Sequence, residues 1–356
     1  MKARRRAICA AVRKFLLLLL LLLAALCGLT ARAETINGRS YVSLVSWARA
    51  NGFTGWSRNG GTEFVLTNKT ARLVFQKDSA DATVNGIGLR LSFPVAKGGY
   101  ISQLDADKAI RPLVFAQKPA AKKITTICLD AGHGGKDVGY KIGWLFPRYE
   151  KTYTLALALE LKQQLQKVGF NVILTRDKDT YPQLAERAEI ANRRGADLFV
   201  VLHFNCFTGN ASTVQGPETY CMTPVGAASS NDSAGAGAGS RSYPANRVEE
   251  KSLLLAYQVQ RALVKNLGAT DRSVRRARYE VMRLAEMPTA YIEGGYMSHP
   301  TEGKKIFDPK YRQQMAAAIV KGIVNYKNLT DPAAPMTKTN PPGAKKSAAG
   351  KVKASR

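Results

Sequence analysis

The chain has 356 residues, of which 45% are hydrophobic and 22% charged, and its formal net charge is +27. This length predicts two folded units with flanking segments, at about 150 residues per unit. The positive excess favours anionic partners, but no base-stacking or groove-reading motif accompanies it, so nucleic acid is not a predicted partner. Anionic polymers, anionic lipid, or simply a solvated surface remain as explanations of the charge.

Residues 1–33 have the pattern of a secretory signal. Basic residues precede an apolar core at 15–29, and Ala31-Arg32-Ala33 follows as a small-x-small cleavage site. An uncleaved anchor is the alternative, but fifteen apolar residues are short for a span that needs about 20. We predict a mature chain that begins at Glu34 and is exported to the periplasm, or to the cell wall and extracellular space. Without the seven basic residues of this segment the net charge is still +20, which favours anionic envelope polymers as partners.

Residues 34–115 predict a small β-rich N-terminal domain. Asn85-Gly86 is a hairpin signal, and the predicted strands around it lie at 63–67, 71–76, 82–84 and 89–93. The segment has no histidine, cysteine or carboxylate cluster, so we assign it no chemistry. Through "INGRSYVSL", "DSADATVNG" and "GGYISQLDADKAIRPL" it resembles the N-terminal domain of copper amine oxidases and various bacterial envelope proteins. That resemblance implies binding or spacing rather than catalysis.

After a linker at 116–123, residues 124–328 alternate between strand and helix patterns. They predict an α/β domain with a central, mostly parallel sheet flanked by helices. The continuous apolar run within 197–202 is typical of a strand buried on both faces. The other strands are predicted at 124–129, 172–174 and 289–292, and the helices at 150–168, 182–194, 248–267 and 311–326.

Two segments of low complexity are expected to be irregular. The Gly, Ala and Ser-rich stretch 229–240 predicts a flexible surface insertion. Residues 329–356 carry five lysines and one arginine against one acid, and predict a disordered basic tail that tethers the protein to anionic polymer.

The mature chain keeps three cysteines, Cys128, Cys206 and Cys221. An odd number in an exported chain gives no disulfide framework. Cys128 is predicted to be a buried small hydrophobic residue, and the spacing leaves open whether Cys206 and Cys221 pair.

A glycine-rich turn at 132–139 follows the strand predicted at 124–129 and carries His133. Glycines allow positive φ and close approach, which suits a metal or catalytic corner. A phosphate loop is excluded, because Asp137 stands where such a loop needs a hydroxyl residue after Lys136. The alternative is a tight turn with an incidental histidine.

Four residues form a candidate site. His133, His203 and Glu293 each follow a predicted strand, and Glu150 opens a predicted helix, where the helix dipole favours a carboxylate. Ligands of open α/β sheets bind beyond the carboxyl ends of the strands, so these side chains are expected to converge. Two imidazoles and one carboxylate suit a catalytic zinc ion, and a second carboxylate suits a general base. Taken singly, His203 could instead be a hydrogen-bonded core histidine and Glu150 a helix-start charge.

These residues carry a family resemblance. Residues 124–327 resemble the zinc-dependent N-acetylmuramoyl-L-alanine amidases of the amidase-3 family. The matching segments are "ICLDAGHGGKDVG", "YEKTYTLALALELKQQL", "VILTRDKDTYPQLAERAEIANRRGADLFVVLHFNC", "QGPETYCM" and "DRSVRRARYEVMRLAEMPTAYIEGGYMSHPTE". The resemblance implies that His133, Glu150 and His203 bind Zn²⁺ and that Glu293 is the catalytic acid/base. It also implies that the substrate is peptidoglycan, cleaved between N-acetylmuramic acid and L-alanine of the stem peptide.

The sequence departs from the family pattern at two positions near the predicted site. Phe204 replaces a small residue beside a predicted ligand, and His299 stands at an asparagine position, where we predict that it is not a ligand. Asn205 is predicted to contact substrate, while Arg187 and Asp197 match positions that we interpret as structural. Two other functions stay open: another envelope zinc hydrolase such as a peptidase, and a binding protein with an inactive site. The need for an activating protein is also open.

Overall fold

A computed structural model describes residues 33–96, 98–116, 119, 122–229, 239 and 241–332. The predicted signal segment, nearly all of the 229–240 insertion and most of the predicted tail lie outside the described residues. Among the described residues, no helix is both long and apolar enough to cross a membrane.

One mixed sheet of eleven strands runs through the described part of the molecule, in the order β12-β9-β13-β16-β14-β15-β7-β6-β5-β4-β3. Its strands are β3 (Gly55–Asn59), β4 (Glu63–Thr67), β5 (Arg72–Gln76), β6 (Asp81–Val84), β7 (Ile87–Arg90), β9 (Thr126–Ala131), β12 (Asn171–Leu174), β13 (Leu198–Asn205), β14 (Glu218–Met222), β15 (Val274–Ala277) and β16 (Thr289–Tyr296). A separate small sheet contains β1 (Ala33–Ile36), β2 (Arg39–Ser43) and β8 (Tyr100–Ser102), and a two-stranded hairpin contains β10 (Lys141–Ile142) and β11 (Arg148–Tyr149).

The helices lie on both sides of this sheet. They are α1 (Leu44–Ala50), α2 (three consecutive helical parts, Gln103–Asp105, Ala106–Ile110 and Arg111–Val114), α3 (Glu150–Lys167), α4 (Leu184–Arg193), α5 (Glu249–Leu267), α6 (Glu280–Arg283), α7 (Glu302–Phe307) and α8 (Pro309–Thr330). Ile127 and Leu129 pack in the cluster that includes α3, α5 and α8, whereas Cys128 packs with residues of α4 and α6. This alternation along one strand confirms the predicted sheet covered by helices on both faces.

The four neighbouring strands β12, β9, β13 and β16 are parallel, as predicted, and β14 then pairs antiparallel with β16. Two predicted strand ends are wrong. β13 continues to Asn205 and β16 to Tyr296, so His203 and Glu293 lie inside strands rather than after them. The reason is long-range pairing, since His203 and Glu293 are register partners and Glu293 is also opposite Glu218.

The N-terminal strands join the same sheet through β7 and β15, where Leu89 is paired with Val274. The predicted hairpin turn is present, with positive φ at both Asn85 and Gly86. The Tyr257 hydroxyl of α5 donates a 2.8 Å hydrogen bond to the Val84 carbonyl, which fixes this hairpin to the helix layer. The division at 116–123 into two domains stays a prediction.

The described chain ends in an ordered contact rather than at the predicted boundary of 329. Helix α8 extends to Thr330, and the Asp331 carboxylate accepts a 2.9 Å hydrogen bond from the Ile124 amide. Cys128, Cys206 and Cys221 are free thiols, so Cys206 and Cys221 are not bonded to each other in this structure.

Candidate active site

The glycine turn after β9 brings His133 beside His203. His133 has φ of +61°, an uncommon conformation for a residue with a side chain. At Gly132 a Cβ atom would lie 2.2 Å from His203 Nε2, and at Gly139 it would lie 2.5 Å from His133 Cδ2. The glycines are therefore needed because the two imidazoles occupy the space that side chains would fill.

Arg187 of α4 holds the glycine turn in place through hydrogen bonds. Its side chain is 1% exposed, and its guanidinium donates to Asp130 Oδ1 at 2.9 Å and to the His133 carbonyl at 2.9 Å. A buried cation paired in this way fixes the backbone that carries the histidine. The contacts agree with the structural interpretation of Arg187. Asp197 likewise accepts backbone hydrogen bonds, from Thr125 and Thr126.

His133, Glu150 and His203 converge on one point. Glu150, the first residue of α3, is buried, with Oε2 3.0 Å from His133 Nε2 and Oε1 2.9 Å from His203 Nδ1. One ligand atom from each of the three residues lies within 4.8 Å of the others. Two imidazole nitrogens and one carboxylate oxygen are the donor set of a catalytic zinc site, so these residues fit that ion.

A further carboxylate orients the first histidine. Asp137 Oδ2 lies 2.8 Å from His133 Nδ1, the ring nitrogen opposite the one near Glu150. Metal-ligating histidines commonly use their second nitrogen in this way, which fixes the ring.

Charge pairing decides the titration of Glu150 and His133 despite their burial. Burial raises the pKa of Glu150, but hydrogen bonds to His133 and His203 outweigh it and leave that pKa lowered. Burial lowers the pKa of His133, but the neighbouring Glu150 and Asp137 outweigh it and leave that pKa raised. The carboxylate is therefore ionised, as a metal ligand must be.

Glu293 lies next to His203 across the β13–β16 pairing, on the same face of the sheet. It is 9% exposed, and its Oε2 has no hydrogen-bond partner among the described residues. Burial, with the charges of Glu150 and Glu218, raises its pKa well above the usual range, while a hydrogen bond from Tyr291 opposes the rise. A buried carboxylate with one oxygen free of hydrogen bonds, beside a candidate metal centre, can exchange a proton there.

Glu218 is the residue that sequence reasoning missed. It accepts hydrogen bonds from Asn205 Nδ2 at 3.2 Å, from the Tyr220 hydroxyl at 3.0 Å and from the Tyr296 hydroxyl. It also forms ion pairs with Arg272 at 3.3 Å and Arg275 at 2.8 Å. The sequence feature that could have identified Glu218 is its position as a charged residue directly before the apolar segment Thr219 to Met222.

Asn205 and the two departures from the family pattern have definite places. The Asn205 side chain donates to Glu218, and its role toward substrate stays a prediction. Phe204 is buried on the opposite face from His203, against Gly294, so its bulk does not enter the site. His299 Nδ1 accepts hydrogen bonds from the Thr301 and Glu302 amides, and it lies outside the cluster of candidate ligands.

A cavity of about 190 Å³ opens beside the two histidines. Tyr291 forms part of its wall and stacks on His203, with ring centroids 4.7 Å apart and planes 13° apart. Grooves of about 510 and 530 Å³ lie elsewhere, between α5 and α8 and beside α2, and their linings contain none of the three candidate ligands. Of these three, the smallest cavity is therefore the one that borders candidate metal ligands, His133 and His203.

Comparison with known proteins identifies what this part of the chain is similar to. The family model described as N-acetylmuramoyl-L-alanine amidase matches residues 127–325. The uncharacterized protein YqiI of Bacillus subtilis is 31% identical over 217 residues, which cover 61% of this chain and 91% of that protein. The N-acetylmuramoyl-L-alanine amidase AmiC of Neisseria meningitidis is 30% identical over 225 residues, which cover 57% of this chain and 53% of that one. The chain thus spans about half of this second relative.

Among solved structures, an N-acetylmuramoyl-L-alanine amidase from Clostridium difficile 630 is 31% identical and superposes with a TM-score of 0.48. The match covers 58% of this chain and 98% of that one. Residues 33–126 lie outside the family match, so the resemblance of the N-terminal segment to another domain stays a prediction.

Proposed function

This chain belongs to the N-acetylmuramoyl-L-alanine amidase family of cell-wall hydrolases, and we propose that it uses zinc to hydrolyse the amide between N-acetylmuramic acid and L-alanine of peptidoglycan. The observation that carries the proposal is the convergence of His133, Glu150 and His203 with a partnerless carboxylate oxygen of Glu293 beside them. A binding protein with an inactive site would not need that second carboxylate.

His133, Glu150 and His203 would hold the zinc ion. When bound, Zn²⁺ supplies Lewis-acid chemistry that polarises a carbonyl and acidifies water. The protein's own part is to keep the three donors aimed at one point, through Asp137 on His133 and through Arg187 on the turn backbone.

Glu293 takes a proton from the attacking water and later gives it to the leaving nitrogen. A bond forms between the water oxygen and the lactyl carbonyl carbon, the C–N bond breaks, and the proton completes the released amine of L-alanine. Its Oε2 has no hydrogen-bond partner among the described residues and is therefore the atom free to accept this proton.

Glu218 and Asn205 shape the neighbouring surface. The ion pairs of Glu218 fix Arg272 and Arg275, and its hydrogen bond holds the Asn205 amide. We assign Glu218 a positioning role. We propose that Asn205 contacts substrate through the part of its side-chain amide that does not bind Glu218.

The predicted signal segment and the positive charge complete the functional proposal. Export would bring the enzyme to peptidoglycan, and the basic tail after residue 332 would retain it on anionic polymer. Deleting residues 333–356 should weaken sedimentation with whole walls at low salt while leaving hydrolysis of soluble fragments unchanged. Equal sedimentation at every salt concentration would exclude the tether.

Mass spectrometry of digested peptidoglycan tests the function. An amidase releases intact stem peptides that begin with L-alanine and leaves glycan strands without peptide. Shortened peptides with muramic acid still attached would identify a peptidase instead. Binding to walls with no released product, in a zinc-loaded sample, would identify a binding protein.

A further inference from the structure

The hairpin between His133 and Glu150 exposes a run of apolar side chains. Its strands β10 and β11 have two residues each, and its tip contains Trp144, Leu145 and Phe146. These side chains are 87%, 78% and 87% exposed. The other large exposed apolar residues of the described chain, such as Trp56 and Val168, are isolated from one another in sequence and less exposed. Isolated exposed apolar residues are ordinary, but a continuous run indicates an interaction surface.

Exposed basic residues lie at the base of the tip and on a helix that contacts the hairpin. Lys141 and Arg148 flank it on the two strands, and both are exposed. The Arg148 guanidinium lies 4.4 Å from the centre of the Phe307 ring, which places the end of α7 against the hairpin. The same helix carries the exposed Lys304 and Lys305, and these four basic residues are called the collar below.

We propose that the tip, Trp144 to Phe146, inserts into the interface of an anionic lipid bilayer. Tryptophan, leucine and phenylalanine are the residues that enter the boundary between headgroups and acyl chains, and the flanking lysines and arginine meet the anionic headgroups. A glycan strand could stack on the Trp144 ring, but it would not account for the exposed aliphatic side chain of Leu145 beside it. Charge complementarity with the collar therefore favours lipid.

Insertion would also orient the enzyme. Glu150 follows β11 directly, so the end of the molecule that carries the candidate metal ligands would face the bilayer. The enzyme would then act on the layer of peptidoglycan nearest the membrane. This inference goes beyond the proposed function, and it does not require zinc or turnover.

Tryptophan fluorescence gives a readout local to the tip. The chain has three tryptophans, of which Trp47 is buried and Trp56 lies on β3, at the far edge of the sheet. The apolar segment 15–29 can itself bring the full chain to a bilayer, so binding alone is not a sufficient test. We would mix the full chain with vesicles of phosphatidylglycerol and phosphatidylcholine whose acyl chains carry bromine, which quenches only tryptophans within the bilayer.

Bromine should quench the wild type and the control Trp56→Phe, and Trp144→Phe should lose most of this quenching. With vesicles of phosphatidylcholine alone, about tenfold more lipid should be needed for half of the maximal quenching, because the collar then has no anionic headgroups to bind. Equal quenching of Trp144→Phe would overturn the proposal. A Trp144-dependent emission shift caused by soluble glycan fragments but not by vesicles would also overturn it, and would assign the tip to glycan. A shift that rises with protein concentration alone would overturn it too, and would assign the tip to a contact with a second copy of the chain.

Discussion

Glu218 and Glu293 lie directly opposite each other on the antiparallel strands β14 and β16, and both are buried. Glu218 is surrounded by two arginines and three hydrogen-bond donors, whereas Glu293 keeps one oxygen without a partner. Two neighbouring carboxylates in different surroundings are suited to different tasks. Glu218 is held by its partners, whereas Glu293 Oε2 has none among the described residues and is the oxygen that we propose for proton transfer.

The change Glu293→Gln separates proton transfer from metal binding. Glutamine keeps the size of the side chain but cannot accept the proton, so turnover should fall by about 10²-fold or more. Zinc content and melting temperature should stay at the wild-type level. The exposed Glu189→Gln serves as the control and should leave the initial rate unchanged. Loss of zinc would make Glu293 a ligand, and retained turnover would assign the base to another group.

Replacing the histidines tests the ligand set. His133→Ala and His203→Ala each remove one of three protein donors, so most bound zinc and all useful activity should be lost. His299→Ala should keep its zinc, and its free energy of unfolding should fall by about 1 kcal/mol because two amides at the start of α7 lose their acceptor. Zinc analysis and thermal melting measure these outcomes. Zinc loss in His299→Ala equal to that of the other two would show that the set is wrong.

A glycine pair tests the crowding of the site. Gly139 and Gly38 have φ of +63° and +73°, so alanine at either costs about 1–2 kcal/mol in backbone strain. Only at Gly139 would the new Cβ meet the site, 2.7 Å from Glu150 Oε2, because Gly38 has open space around it. Gly139→Ala should therefore weaken zinc binding at least about tenfold, and Gly38→Ala should not. Competition with a chelator measures both, and equal zinc affinities would contradict the crowding.

Removing the Glu218 carboxylate should destabilise the fold. Glu218→Ala leaves two buried tyrosine hydroxyls and the partly buried Asn205 amide without this acceptor, and the free energy of unfolding should fall by about 1–3 kcal/mol. The arginines limit the loss, since Arg272 and Arg275 are about a third exposed and regain water. Asp81→Ala is the matched control, because its ion pair with Arg90 is exposed and contributes at most about 1 kcal/mol. Denaturant titration compares the two, and a smaller effect at Glu218 than at Asp81 would contradict this role.

The sequence allowed the fold class and the meeting of four side chains to be predicted, because both depend on local patterns. The apolar run before Asn205 and the start of α3 at Glu150 were visible in the order of residues. The strand ends and Glu218 were not, because they depend on strand pairings between residues 75 to 90 positions apart, which local sequence periodicity does not indicate. The structure places the four residues together, and their chemical roles stay predictions.

The pairing of Leu89 with Val274 has a consequence for any shortened form of the protein. Strand β15 would be an outer strand if the chain began at residue 124, and its backbone groups on that side would face solvent. Exposed strand edges recruit other chains, which leads to aggregation. The N-terminal strands cover this edge of β15, and a fragment reduced to the matched family region is therefore expected to aggregate more readily than the full chain.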